Sequence, residues 1–155
     1  MIEFKTGNIL DANVDAIVNP VNTVGVMGKG LALQVKNAFP SAFERYRRAC
    51  LRGDIKIGKM LVYVGAISSD PKQGPYTIIN FPTKSHWRDP SKIEYVIEGL
   101  NDLVKVVRSM NLKSLAIPKL GCGCGGLDWN IVKQLIITTF DTFEFINKIR
   151  IEVYE

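Results

Sequence analysis

Short apolar runs alternating with stretches of helical periodicity constrain this chain more than any other feature. Ile2-Glu-Phe-Lys-Thr6 alternates apolar and polar residues, as a half-buried strand does, and Gly7-Asn8 ends it. Ala16-Ile-Val-Asn19 stops at Pro20, and Ser114–Ile117 stops at Pro118. Met60–Val64 and Tyr76–Asn80 flank a loop rich in Ser, Asp, Pro and Gly over Ser68–Pro75, and Lys148–Tyr154 alternates strictly. Four helical stretches lie between these runs. Leu31–Phe39 must stop before Pro40, because a residue preceding proline is pushed out of the α region. Ser41-Ala-Phe-Glu44 has the form of a capping box, opening a helix that carries Arg45, Arg47, Arg48 and Arg52 and ends at Gly53. Asp89-Pro90 predicts the start of a third helix, with Ile93, Ile97, Leu100, Leu103, Val104 and Val107 as its core-facing stripe. Asp128 is the expected N-cap of a fourth, running through about Phe140. Strands alternating with helices predict an α/β fold: one domain over residues 1–155, with a central mixed sheet and helices on both faces.

The loops between these elements carry the chemistry. Gly25-Val-Met-Gly-Lys-Gly30 leads straight into a helix, and Gly121-Cys-Gly-Cys-Gly-Gly126 follows a strand and precedes another. Glycines let backbone approach a ligand closely, and free N–H groups at a helix start attract anions. The first loop lacks the spacing and the Ser or Thr of a Walker A loop, so it fits a phosphate without implying a nucleotide triphosphatase; a flexible turn is the plain alternative. Two such units in a small domain suggest a diphosphate gripped from both sides. Phe81-Pro-Thr-Lys-Ser-His-Trp-Arg88 follows a strand, and in open α/β sheets ligands bind beyond the carboxyl ends of the strands. Lys84 is therefore the first candidate for chemistry, against the alternative of a surface lysine in a polar loop.

Charge and cysteine content narrow the class. A net charge of +5 favours an anionic ligand or nucleic acid. Three cysteines, two of them in a Cys122-x-Cys124 pair, do not make a disulfide framework, so a reducing, cytoplasmic setting is expected. A zinc set would need Cys50 and the single histidine, His86, as well; the cysteines read as small packing residues, and neither metal nor cofactor is expected. No secretion leader is expected from the opening residues, and no apolar run nears 18 residues, so no membrane association is expected.

Gly7-Asn-Ile, Ala16-Ile-Val-Asn-Pro-Val-Asn22, the first glycine loop and Leu120-Gly-Cys-Gly together resemble the macrodomain family, whose members bind ADP-ribose on a three-layer α/β/α fold. Within it, the stretches around Asn22–Ala32 and Phe81–Arg88 are most similar to the DarG group, antitoxins that remove ADP-ribose from thymidine bases in DNA and so reverse the DarT toxin. The resemblance implies that Asn8 and Ile9 meet the adenine end. It places Val21, Asn22 and the segment Gly28, Lys29, Gly30, Leu31, Ala32 along the distal ribose and diphosphate, with Gly121, Cys122, Gly123, Cys124, Gly125 and Gly126 covering the diphosphate from the other side. Asn19, Thr23, Thr83 and Pro118 are expected among the ligand-contacting residues. Lys84, with Asn22, would carry the catalysis. The human terminal ADP-ribose protein glycohydrolase pairs its lysine with an aspartate inside the second loop, where this chain has Gly125; Asp128 lies further on.

The implied reaction is cleavage of the N-glycosidic bond between ADP-ribose and a base. A neutral lysine amine is a good nucleophile toward a ribose carbon that opens to an aldehyde-like form; Lys84 as a base, or as a cation steadying the leaving group, is the other role. His86, Trp87 and Arg88 fit a nucleic-acid edge to the site, by stacking and phosphate contact, and the Arg45–Arg52 cluster either extends that path or is a solvated helix face. The expected partners are single-stranded, thymidine-linked ADP-ribosylated DNA, ADP-ribose as product, and a DarT-like toxin. The competing functions are hydrolysis of ADP-ribose from protein, hydrolysis of O-acetyl-ADP-ribose, and a module that only binds ADP-ribose.

Overall fold

Each apolar run becomes a strand of a single sheet in the computed structural model, which describes residues 1–65, 76–142, 144–145 and 148–155. The strands are β1 (Ile2–Lys5), β2 (Ala16–Asn22), β3 (Leu61–Gly65), β4 (Tyr76–Lys84), β5 (Ser114–Ile117) and β6 (Arg150–Tyr154). The helices are α1 (Gly30–Ala38), α2 (Pro40–Leu51), α3 (Ile93–Met110) and α4 (Trp129–Phe140), with a short 3-10 turn over Ile9–Asp11. The sheet order is β1-β6-β5-β2-β4-β3, parallel at every pairing except the antiparallel β3–β4 edge. The loop expected at Ser68–Pro75 lies outside the described residues.

Alternation along the strands sorts the helices into two layers. Val18, Ile79, Phe81, Leu115, Ile117, Ile151 and Val153 face α3 and α4, which contribute Val96, Leu100, Leu103, Val107, Val132, Ile136 and Phe140 to one large core. Val21 and Ile78 face the other way, against Tyr46 and Ala49 of α2 and against Val35 of α1 and Ala42 of α2. The three-layer α/β/α architecture follows from this two-sided burial. β2 and β4 are neighbours from which the chain leaves in opposite directions across the sheet, from β2 toward β3 and from β4 toward β5. The crevice beyond the carboxyl ends of such neighbours is where ligands bind in open α/β sheets.

The structure corrects several local expectations. β2 runs through Pro20 to Asn22 instead of stopping at Asn19. Proline interrupts a sheet where a ladder needs its N–H, but β5 pairs with β2 only at Ala16 and Ile17, so there is no ladder on that side at Pro20. β4 likewise continues past Asn80 to Lys84, because Phe81 and Pro82 stay in register with Pro20 and Val21, and Lys84 pairs with Asn22 after a one-residue shift. Ser41 does not cap α2. Pro40 takes the first helical position, for which its fixed φ suits it, Phe39 becomes the N-cap, and Glu44 turns outward to Arg47 and Arg48. Asp89-Pro90 does not start α3 either: the helix begins at Ile93, since the Ser91 N–H is drawn off to Gly125 O at 3.0 Å. The buried stripe of α3 runs through Val96, Gly99, Leu100, Leu103 and Val107, leaving Ile97, one position round from Val96, 42% exposed. Gly53, with φ 73°, does follow α2, and Asp128 does cap α4, accepting from Asn130 N at 2.8 Å. No helix among the described residues is long and apolar enough to cross a membrane.

Candidate functional site

Three segments far apart in sequence meet at the carboxyl ends of β2 and β4. Asn22 and Lys84, the last residues of these strands, are register partners, and a one-residue shift between Val21 and Asn22 brings them level. Lys84 Nζ donates to Trp87 O at 3.2 Å and to Cys124 O at 3.0 Å, tying the β4–α3 connection to the second glycine loop. Thr23 donates from its backbone N–H (3.2 Å) and its hydroxyl (2.5 Å) to Ser85 O, tying the first loop to the same connection. Lys84 therefore stands where both glycine loops converge.

The first loop is shaped by Asn22, which is 7% exposed. Its Oδ1 accepts from Val24 N at 3.1 Å, Val26 N at 3.3 Å and Tyr46 Oη at 2.8 Å, and its Nδ2 donates to Val26 O at 2.7 Å. The loop thus folds around one side-chain amide, and only the second Nδ2 hydrogen is left for a ligand. Met27 is buried against Val21 and Tyr46, while Gly28, Lys29 and Gly30 are exposed. Lys29 is the N-cap of α1 and makes no side-chain cap bond, so the N–H groups of Gly30, Leu31 and Ala32 have no acceptor among the described residues. Such a helix start is suited to a phosphate.

The second loop is packed from below by Ser91, whose Oγ is buried without a partner among the described residues. Leu127 N closes the loop onto Gly121 O at 3.0 Å, and Gly126 N bonds Gly123 O at 3.2 Å. The N–H groups of Gly123, Cys124 and Gly125 make no bond among the described residues, giving a second run of donors. A Cβ on Gly125 would come 2.3 Å from both Gly121 O and Ser91 Oγ, so no side chain, and no aspartate, fits there. Cys122 donates to Leu120 O at 3.3 Å, and burial pushes its thiol above the usual range; Cys124 is exposed.

The remaining expected residues fall at different places. Arg88's guanidinium lies 4.5 Å from the centre of the Trp87 ring, and His86 stacks on the same indole at 5.2 Å, so the three form one exposed ledge beside Lys84. Asn8 caps the 3-10 turn by accepting from Leu10 N at 3.0 Å, beside the buried Ile9. Asn19 lies within the sheet and donates to Asn80 Oδ1 at 3.1 Å, with its own Oδ1 unpartnered among the described residues. Thr83 is buried one residue before Lys84, and Pro118 is half-buried after β5. Of the arginines of α2, Arg47 and Arg48 pair with Glu44, and Arg52, the C-cap, pairs with Asp54.

Tyr46, Asn80 and Ser91 belong to the site's framework, although the sequence patterns did not single them out. Tyr46 carried a signal: a phenol on the otherwise small inner face Ala42-Tyr46-Ala49 needs a buried acceptor.

The Macro domain family model matches residues 18–136. A Mycobacterium tuberculosis protein named DNA ADP-ribosyl glycohydrolase is 50% identical over 140 residues, covering 90% of this chain and 39% of the relative. One of the same name from Thermus aquaticus is 49% identical over 155 residues, covering 100% of this chain and 41% of the relative. The chain spans about two fifths of the length of these curated relatives. Among solved structures, the macrodomain of M. tuberculosis DarG superposes with a TM-score of 0.89 at 46% identity, covering 99% of this chain and 97% of that one. Thermosipho africanus DarTG in complex with ADP-ribose gives 0.88 at 34%, covering 99% of this chain and 41% of that one. With matches of this extent on a shared fold, the chain belongs to the Macro domain family and is a close homologue of the DarG macrodomains.

Proposed function

We propose that this chain is a DNA ADP-ribosyl glycohydrolase that removes ADP-ribose from thymidine bases of single-stranded DNA, with Lys84 as nucleophile. The observation that carries this reading is the position of Lys84: paired in register with Asn22 and hydrogen-bonded to Cys124 O, at the junction of two loops whose free N–H groups suit a diphosphate. The names of the relatives support the substrate class.

An uncharged Lys84 amine has two hydrogens, enough to keep both carbonyl partners, and a lone pair directed away from them. That pair forms a bond to the anomeric carbon. The electron pair of the glycosidic bond leaves with the base nitrogen, which takes up one proton lost from the attached amine. As the ring opens, its carbon–oxygen pair goes to the ring oxygen, which takes up the second amine proton, and a Schiff base remains. Water then adds to that carbon, the carbon–lysine bond breaks, and ADP-ribose leaves with the amine restored. The free Nδ2 hydrogen of Asn22 serves the ribose hydroxyls, and the Trp87 ledge meets the DNA strand. A T. africanus relative named as a fusion of DNA ADP-ribosyl transferase and DNA ADP-ribosyl glycohydrolase, 37% identical over 142 residues, supports a DarT-like transferase as the activity that this reaction reverses.

The test is single-turnover cleavage of an ADP-ribosylated thymidine oligonucleotide with a borohydride trap. The wild type should turn over and yield a reduced adduct on Lys84; Lys84→Ala should bind ADP-ribose and release no base. Turnover without a trapped adduct would assign Lys84 the role of base. Undiminished turnover by Lys84→Ala would sink the mechanism, and activity confined to ADP-ribosylated protein or O-acetyl-ADP-ribose would overturn the DNA assignment.

A further inference from the structure

Tyr46 is fully buried on the inner face of α2, beneath the first glycine loop, and its hydroxyl lies 2.8 Å from both Asn22 O and Asn22 Oδ1. Asn22 Oδ1 accepts from the N–H groups of Val24 and Val26 and shares the single Tyr46 hydroxyl hydrogen with Asn22 O, while one Nδ2 hydrogen is spent on Val26 O. Turning this amide over would set an NH2 group against two N–H donors and an oxygen against a carbonyl. Unmade or opposed buried hydrogen bonds cost more than made ones contribute. The second Nδ2 hydrogen is thus presented in one direction only, from the residue level with Lys84.

We propose that Tyr46 is a positioning residue for the glycohydrolase reaction, acting through Asn22 by locking its amide so that the free Nδ2–H is held for the ribose. This rests on the reading of Lys84 and Asn22 given above. Burial, first, and the neighbouring Cys50 push the Tyr46 phenol well above its usual range, so it remains protonated, and a donor, throughout the working pH. The backbone of Gly25 lies against the same hydroxyl, so one phenol also fixes the turn from which the loop departs.

The test is a double-mutant cycle of Tyr46→Phe and Asn22→Ala on an ADP-ribosylated oligonucleotide, reading kcat, KM, ADP-ribose affinity and Tm. Tyr46→Phe should lower kcat about tenfold, the scale of one lost positioning hydrogen bond, with KM and ADP-ribose affinity changed less than about twofold on that same scale. On the Asn22→Ala background it should cost nothing further, which a merely structural role would not produce. Unchanged kcat in Tyr46→Phe, or losses that add, would overturn the proposal while leaving Lys84 and Asn22 in place. Unchanged kcat in Asn22→Ala would overturn both this and the role given to Asn22. Should Tyr46→Phe not fold, hydrogen exchange at the Asn22 side-chain amide of the wild type decides: exchange of its Val26-bonded Nδ2 proton well below the rate of a free asparagine supports the lock, and exchange at the free rate ends it.

Discussion

A single methyl group distinguishes two glycines of the second loop. At Gly123 an added Cβ meets nothing within 4 Å, whereas at Gly125 it meets Gly121 O and Ser91 Oγ, both at 2.3 Å. Backbone cannot yield there as a flexible side-chain tip would, so Gly125→Ala must move the Cys124–Gly125 peptide, and Cys124 O is a partner of Lys84. Overpacking of this kind costs roughly 1–3 kcal/mol, or a fall in Tm of about 2–4 °C per kcal/mol in a domain of this size. Gly125→Ala should lower Tm and cut kcat/KM at least about tenfold, by the usual effect of misplacing a catalytic group. Gly123→Ala should change Tm little. Thermal melts with initial rates decide; equal effects at both positions would show that loop crowding is not what shapes the site. The same crowding explains why the lysine has no aspartate partner at 125.

The helices show which parts of the sequence could be read locally. Asp128 accepts from Asn130 N at the start of α4, the ordinary work of an N-cap. Losing such a cap costs about 1 kcal/mol. Asp128→Ala should therefore lower Tm by about 2–4 °C and leave kcat intact, and Asp128→Asn should preserve both. Lost turnover in Asp128→Asn with Tm retained would instead make the carboxylate a participant in the reaction. This cap, Gly53 after α2 and most of the α3 stripe were legible because their causes lie within a few residues. Pro20, Ser41 and Asp89-Pro90 misled because their outcomes are set elsewhere: by the short pairing of β5, by Pro40 taking the first turn of α2, and by Ser91 bonding to Gly125 across 34 residues of chain. The site divides in the same way. Lys84 and the glycine loops stand out by composition, whereas Tyr46 and Ser91 gain their roles only when α2 and the start of α3 pack beneath those loops.

For the whole molecule, the net charge of +5 acquires a direction from α2. Arg45, Arg47, Arg48 and Arg52 are all exposed, and the Arg47 side chain lies against Gly25, so this basic face borders the first loop. Glu44 and Asp54 engage three of the four arginines, but exposed ion pairs are weak and yield readily to a phosphate. If the strand carrying the modified base runs over α2, its phosphates displace these carboxylates, and the interaction must weaken with salt. For single strands the logarithmic slope is about −0.7 per phosphate contacted, so two contacts predict about a sevenfold loss of kcat/KM between 50 and 200 mM salt. A short ADP-ribosylated nucleoside, which cannot reach α2, should show a much smaller loss. Arg45→Glu together with Arg48→Glu should flatten the oligonucleotide's slope toward that of the nucleoside while sparing nucleoside turnover. Parallel salt curves for the two substrates would mean that the strand leaves the site by another route and that the arginines of α2 serve only as a solvated face.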